Sequence, residues 1–267
     1  MWNSYENLSL EGDLVQLLGS RHKSHFVKLK AGEILQTHRG EISHDDMIGK
    51  PWGSRLYSHT GKPFFLMRPG LTDLITEIKR NTQIIYPKDI GYILMVMGIG
   101  PGIHVLEAGT GSGALTTAFA FFVGETGRVT SYEVRDQMQN LARKNLERVG
   151  LMDRVELKLS DIAEGFDERD VDAIFLDLPN PHDYIPQVKT ALKLGGCVGL
   201  IVPTTNQVSA ALAALHRNDF AFVEVCEILL RFYKPDYERL RPTDRMVAHT
   251  GYLVFGRSVS EKPDQDE

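Results

Sequence analysis

From residue 86 onward, apolar positions switch between two periods. Runs at 103–107, 128–133, 154–159, 172–177 and 196–202 have strand length, whereas 113–123, 136–149, 183–192 and 205–216 repeat apolar residues at helical spacing. An earlier helix opens at Pro87, a residue suited to a first helical turn, with Asp89 against the positive end of the helix dipole. Ile90, Ile93, Leu94 and Met97 give it one apolar face, and Gly98, Gly100, Pro101 and Gly102 end it. Strands alternating with helices predict a doubly wound, mostly parallel α/β sheet. Two further strands, 221–229 and 246–256, have no helix between them and should pair antiparallel.

Residues 1–70 follow another pattern. Short alternating runs at 25–29, 34–37, 56–58 and 64–67 lie between Gly32, Gly40, Gly49, Gly53 and Gly61, which predicts a small antiparallel β domain. A linking helix is expected over 71–80, with Thr72 as a candidate cap. The chain therefore reads as an N-terminal β domain (1–70), an α/β domain (71–257) and a polar tail (258–267).

The hydrophobic fraction of 42% and charged fraction of 24% are ordinary for a globular protein. No apolar run reaches membrane-spanning length and no secretory leader pattern is visible, so a cytoplasmic protein is expected. Cys197 and Cys226 sit in apolar runs and read as core thiols. The net charge of −5 gives no overall electrostatic footprint for nucleic acid, but the charge is uneven. Residues 228–257 carry a net +3, with Arg231 and Arg241 among six cations and Phe232, Tyr233 and Tyr237 interleaved. Arg21, His22, Lys23, Lys28 and Lys30 form a second basic cluster. Basic groups beside aromatics suit phosphates and unstacked bases, although each cluster also fits a solvated face. His22, His25, His38, His44 and His59 gather in the β domain without the spacing of a metal site, and no metal is expected.

The chemistry concentrates at Glu107-Ala108-Gly109-Thr110-Gly111-Ser112-Gly113, between a predicted strand and a predicted helix. Strand, glycine turn and helix form the nucleotide-binding element of α/β sheets. Gly109-x-Gly111-x-x-Ala114, with acidic Glu133 further on, also satisfies the dinucleotide fingerprint, so an NAD-linked oxidoreductase is one reading. Glu107 favours another. A carboxylate beside the turn repels a pyrophosphate and welcomes the ammonium and sulfonium of S-adenosylmethionine. Glu133 ends the next strand, where it can accept from a ribose diol. Asp161, followed by apolar Ile162, can accept from an adenine amino group. Ser112 and Gly113 can offer backbone N–H groups at a helix start. Asp177, in Leu176-Asp177-Leu178-Pro179-Asn180-Pro181, sits on a proline-stiffened loop at the same rim and is the catalytic candidate.

Gln83-Ile84-Ile85-Tyr86-Pro87-Lys88-Asp89, the glycine turn, Ser131-Tyr132-Glu133 and Leu176-Asp177-Leu178-Pro179 together resemble the tRNA adenine-58 N1-methyltransferases. His38-Arg39-Gly40-Glu41-Ile42-Ser43-His44-Asp45 and Ala248-His249-Thr250-Gly251-Tyr252-Leu253 are similar to that family as well. The resemblance implies a Rossmann-like methyltransferase domain behind an N-terminal β domain. It further implies S-adenosylmethionine as cofactor, tRNA as substrate and assembly as a homotetramer, with methyl transfer to N1 of adenine 58 in the T-loop or to its neighbour. It implies cofactor contacts from Gln83, Tyr86, Ser112, Gly113, Ala114, Leu115, Glu133 and Asp161, and a role for Asp177 in both cofactor binding and catalysis. Gln207 corresponds to a position near the target base, and His249 lies in a shared motif. Met138 stands where relatives often carry a polar side chain. A non-catalytic tRNA-binding subunit is the reading from another class.

Overall fold

The computed structural model describes residues 7–19 and 24–261. Arg21, His22, Lys23 and residues 262–267 lie outside the described residues. The chain divides into two compact units, Met1–Glu77 with Arg148–Gly150, and Ile78–Glu147 with Leu151–Glu267.

The first unit is β-rich, as expected. Strands β1 (Leu14–Leu18), β2 (Ser24–Lys28), β5 (Arg55–Tyr57) and β6 (Pro63–Met67) form an antiparallel sheet in the order β2-β1-β6-β5. A separate hairpin joins β3 (Ile34–Thr37) to β4 (Gly40–Ser43). Sequence pattern missed β1 because Leu14-Val15-Gln16-Leu17 is buried throughout and so does not alternate. Val15, Leu17, Leu29, Ile42, Phe64 and Leu66 form this unit's core. His44 and His59 are hydrogen-bonded: Lys30 N donates to His44 Nδ1 (3.0 Å) and Glu41 N to His59 Nδ1 (2.8 Å). The expected 71–80 helix is only α1, Leu71–Thr76. Thr72 is not its cap. Gly70 holds that position, and Gly70 N donates to Asp73 Oδ2 at 2.9 Å.

The second unit holds the seven-stranded sheet, ordered β12-β15-β11-β10-β7-β8-β9. Its strands are β7 (His104–Ala108), β8 (Arg128–Glu133), β9 (Val155–Leu159), β10 (Val171–Leu176), β11 (Leu192–Val202), β12 (Phe220–Cys226) and β15 (Tyr252–Ser258). The first five run parallel, and β15 is antiparallel to both β11 and β12. Helices α2 (Pro87–Val96), α3 (Ala114–Phe122), α4 (Asp136–Val149), α5 (Ile185–Ala191) and α6 (Thr205–Arg217) accompany them. The Rossmann-like expectation holds. Leu106, Ile174, Leu176, Val198, Leu200 and Val254 are fully buried within one core cluster.

Several boundaries differ from the sequence reading: β11 starts at Leu192 rather than 196, inside the span expected as helix, and three differences near the C-terminal end have local reasons. β12 stops at Cys226 and carries a bulge at Phe222, whose φ is 52°. β15 starts at Tyr252 rather than 246, because the preceding residues turn their side chains into the polar contacts described below. Ser258, assigned to the tail, is buried in β15 and receives a 3.0 Å hydrogen bond from Lys189 Nζ. Between β12 and β15 the chain makes an excursion that carries a two-residue-per-strand hairpin, β13 (Tyr233–Lys234) with β14 (Arg241–Pro242). Among the described residues, no helix is long and apolar enough to cross a membrane.

Candidate active site

Parallel register brings the functional strand ends to one rim. Ala108 aligns with Leu176 on one side and Tyr132 on the other, so the turns after β7, β8 and β10 converge. They line a cavity of about 930 Å³, at the upper end of the usual size for a small-molecule site. Gln83, Tyr86, Glu107, Gly109, Gly111, Ser112, Ala114, Leu115, Glu133, Asp161, Ile162, Asp177 and His249 all face it. Gly113, Gln207, Arg231 and Arg241 do not.

The glycines divide their work. A Cβ on Gly109, at φ +98°, would lie 2.1 Å from the Asp177 carbonyl oxygen, while Asp177 N donates to Ala108 O at 2.9 Å. Gly109 thus lets the Asp177 strand end close over the turn. A Cβ on Gly113 would meet Ala142 Cβ at 3.0 Å, so Gly113 allows α3 to pack on α4. Its N–H is also spent, donated to Thr110 O at 2.9 Å. Only Gly111 has open space around its missing Cβ, with nothing nearer than 3.9 Å.

Glu107 is 1% exposed, and its Oε2 accepts from Thr116 Oγ1 (2.5 Å) and Ser131 Oγ (2.6 Å). Burial pushes its carboxyl up to about 8; the two hydroxyls oppose that shift, and nearby Asp177 and Glu133 reinforce it. A cation in the cavity would favour the ionised form. Glu133 is 4% exposed and behaves differently. It accepts from the N–H groups of Gly111 (3.0 Å), Val134 (3.1 Å) and Arg135 (3.0 Å), and from Arg135 Nε (2.9 Å). Burial opposes ionisation, but the Arg135 guanidinium and these backbone donors outweigh it and hold the carboxyl below its ordinary value. Sequence reasoning missed Arg135, whose only signal is its place two residues after Glu133.

Asp161 caps a short 3₁₀ turn, accepting from Ala163 N at 2.9 Å, and buried Ile162 follows. Asp177 is open to the cavity, yet crowded by protein on its other sides. Desolvation alone raises its carboxyl to about 6. Gln207 braces the loop beyond: its Nε2 donates to Pro179 O at 2.8 Å. His249 contacts two acceptors, Pro203 O through Nε2 (3.0 Å) and Glu227 Oε1 through Nδ1 (3.0 Å). Satisfying both requires two ring protons, so first the Pro203 carbonyl and then Glu227 raise its pKa. Arg231 and Arg241 lie exposed on the excursion.

Two observations test the fit to S-adenosylmethionine. Ser112, 2% exposed at the entrance to α3, is one of the residues lining the cavity and carries a buried hydroxyl with no protein partner. The start of α3 beside it suits an anionic ligand end such as an amino-acid carboxylate. Elsewhere the rim is acidic, with Glu107, Glu133, Asp161 and Asp177 converging. A ligand with a carboxylate at one end and positive charge beside it matches this division; a diphosphate matches only the first half.

Comparison with known proteins agrees. Residues 64–245 match the family described as the tRNA methyltransferase complex GCD14 subunit, and residues 10–55 match the TrmI-like N-terminal family. The tRNA (adenine(57)-N(1)/adenine(58)-N(1))-methyltransferase TrmI of Methanocaldococcus jannaschii is 35% identical, over 94% of this chain and 97% of its own. The solved structure of tRNA (m1A58) methyltransferase TrmI from Aquifex aeolicus superposes with a TM-score of 0.81 at 36% identity, covering 95% of this chain and 99% of that one. A Thermotoga maritima structure described as a SAM-dependent O-methyltransferase superposes with a TM-score of 0.90 at 41% identity, covering 99% of both chains. With a family match over most of its length and a curated relative aligned nearly end to end, the chain belongs to the TrmI family of tRNA (adenine-N1)-methyltransferases.

Proposed function

We propose that this protein transfers a methyl group from S-adenosylmethionine to N1 of an adenine in the T-loop of tRNA, at position 58 or its neighbour. One observation carries the reading: Asp177 is locked against Gly109 and opens into a cavity that Ser112 and the buried acids Glu107 and Glu133 also line. Ser112 and the start of α3 would hold the cofactor's carboxylate, Glu133 its ribose, and Asp161 with Ile162 its adenine. When bound, the cofactor supplies an electrophilic methyl group next to positive charge.

Adenine N1 has a lone pair and needs no covalent helper from the protein. Asp177, ionised above about pH 6, accepts a hydrogen bond from the target adenine's N6 amino group. That raises electron density at N1 and stabilises the positive charge the ring acquires. Gln207 keeps the Asp177–Pro179 loop in place through the Pro179 carbonyl. The base must leave its stack to reach the cavity, and the basic, aromatic excursion with Arg231 and Arg241 suits an opened loop. The N-terminal domain, taken as residues 1–70, contributes a second RNA contact.

Assembly as a homotetramer is part of the proposal. β12 is the edge strand of the large sheet, and Phe222, Val225, Leu229, Phe232 and Leu240 are exposed on it and the adjoining excursion. Apolar side chains beside an unpaired edge favour burial against another copy. The protein would act in the cytoplasm. Primer extension on an unmodified tRNA transcript, after incubation with protein and S-adenosylmethionine, should stop at adenine 58. Methylation confined to hydroxyl acceptors, as the Thermotoga description suggests for that protein, would overturn the assignment.

A further inference from the structure

The excursion between β12 and β15 leaves the sheet at Glu227 and returns at Thr250, and both ends of this neck are gripped by one ammonium group. The side chain of Lys88, in the first turn of α2, is 7% exposed, and that of its neighbour Asp89 is 1% exposed. Lys88 Nζ donates to Asp89 Oδ1 (2.8 Å), to Ile228 O (2.7 Å) and to Thr250 Oγ1 (2.6 Å). Thr250 Oγ1 in turn donates to Asp89 Oδ2 at 2.8 Å. All three ammonium donors and both carboxylate oxygens are therefore used, as a buried ion pair requires. Outside this node the His249–Glu227 contact joins the same two ends of the neck again.

The node sits at the cavity. Asp89, Thr250, His249 and Val247 all line it, and Tyr86, the cap of α2, lies two residues before Lys88. A buried charge pair is a poor source of stability compared with apolar packing, but it tolerates only one geometry. We propose that Lys88 is a positioning residue: by closing the neck of the excursion it fixes residues 247–250 at the cavity and aims the basic hairpin above it, so that the target base is presented to Asp177. Lys88 touches neither the cofactor nor the base. It acts through Ile228 and Thr250. This inference rests on the function proposed above for the cavity.

Replacing Lys88 would strand the Asp89 carboxylate, so the direct variant risks misfolding. Thr250→Val keeps the ion pair and the side-chain shape but removes the hydroxyl that ties the returning end, and Thr250→Ser restores it. Hydrogen exchange followed by mass spectrometry should show faster exchange in Thr250→Val confined to residues 227–251, with the sheet unchanged and Thr250→Ser close to wild type. Steady-state methylation should show kcat/KM for tRNA reduced roughly tenfold in Thr250→Val, the scale expected for losing a hydrogen bond to a charged group. Affinity for S-adenosylmethionine, measured by calorimetry, should change less than about threefold, and Thr250→Ser should recover the tRNA kcat/KM. Unchanged exchange in the neck would overturn the clasp, whatever reaction the cavity performs. Faster exchange with undiminished tRNA kcat/KM would overturn its positioning role. A wild-type protein that binds the cofactor but leaves tRNA unmethylated would count against the proposed function instead, while the exchange measurement would still decide the clasp.

Discussion

Gly109→Ala perturbs the contact on which the proposed chemistry depends. The new methyl would lie 2.1 Å from the Asp177 carbonyl oxygen, whereas ordinary contacts begin at 3.4 Å, so the Asp177 strand end must retreat by roughly 1.3 Å. The obstacle is backbone, and it is tied down by the Asp177 N–H to Ala108 O hydrogen bond. Alanine at φ +98° adds strain of ~1–2 kcal/mol, which with the forced shift gives a destabilisation of ~1–3 kcal/mol. In a chain of this size that lowers Tm by roughly 2–12 °C. The kinetic cost should be larger, because misplacing a catalytic group by ~1 Å can reduce the rate about 100-fold. Gly111→Ala is the control. Its Cβ has nothing within 3.9 Å and its φ is +53°, so ~1 kcal/mol of strain is expected, with the effect falling on cofactor affinity. Methyl transfer to tRNA at saturating cofactor, run beside thermal unfolding, separates the two. If Gly109→Ala retains kcat within about threefold of wild type, the Asp177 strand end is not the rigid element described here.

Further outcomes follow from the same geometry. Because desolvation raises the Asp177 carboxyl to about 6, kcat/KM should fall roughly tenfold per pH unit below that value, and Asp177→Asn should remove this limb while lowering the rate ~10²–10³-fold; a flat wild-type profile down to about pH 5 would contradict it. Arg135 occupies the Glu133 carboxylate that the ribose would use, so Arg135→Gln should tighten S-adenosylmethionine binding by up to about fivefold, the scale of an ion pair whose cation is solvent-exposed; calorimetry showing weaker binding would make Arg135 a ligand contact rather than a competitor. His249 donates to two acceptors that favour its protonated ring, so its raised pKa stabilises the neck at low pH, and that contribution is lost as pH rises through the folded-state value. An NMR titration of the His249 ring should show this upward shift, and its persistence in reduced form in Glu227→Gln would identify the Pro203 carbonyl as the remaining cause, whereas its complete loss would assign it to Glu227 alone.

The parts of this site visible in the sequence were those dictated by strand order. A parallel sheet delivers the residues after β7, β8, β9 and β10 to one edge, so acids at positions 107, 133, 161 and 177 could be gathered before any side chain was placed. The hidden parts were side-chain partnerships across long separations. Lys88 and Asp89 look like solvated charges at a helix start; only the fold shows Thr250 and the Ile228 carbonyl closing around them. Glu107 reads from sequence as a carboxylate beside the turn, yet the Thr116 and Ser131 hydroxyls enclose it, a pairing that spacing alone does not reveal. Gly109 and Gly113 read as parts of a nucleotide-binding turn, Gly113 as a backbone donor, whereas in the fold they make room for Asp177 and Ala142. β15 began late for a similar reason: residues 249 and 250 spend their polar groups on the neck, which no local alternation encodes.

The central claim is that this acidic, glycine-lined cavity takes a cationic methyl donor. Calorimetric titration with S-adenosylmethionine, S-adenosylhomocysteine and NAD tests it most directly. Saturable binding of the first two, abolished in Glu133→Ala, with no binding of NAD, is the predicted result. Binding of NAD in preference to S-adenosylmethionine would contradict it.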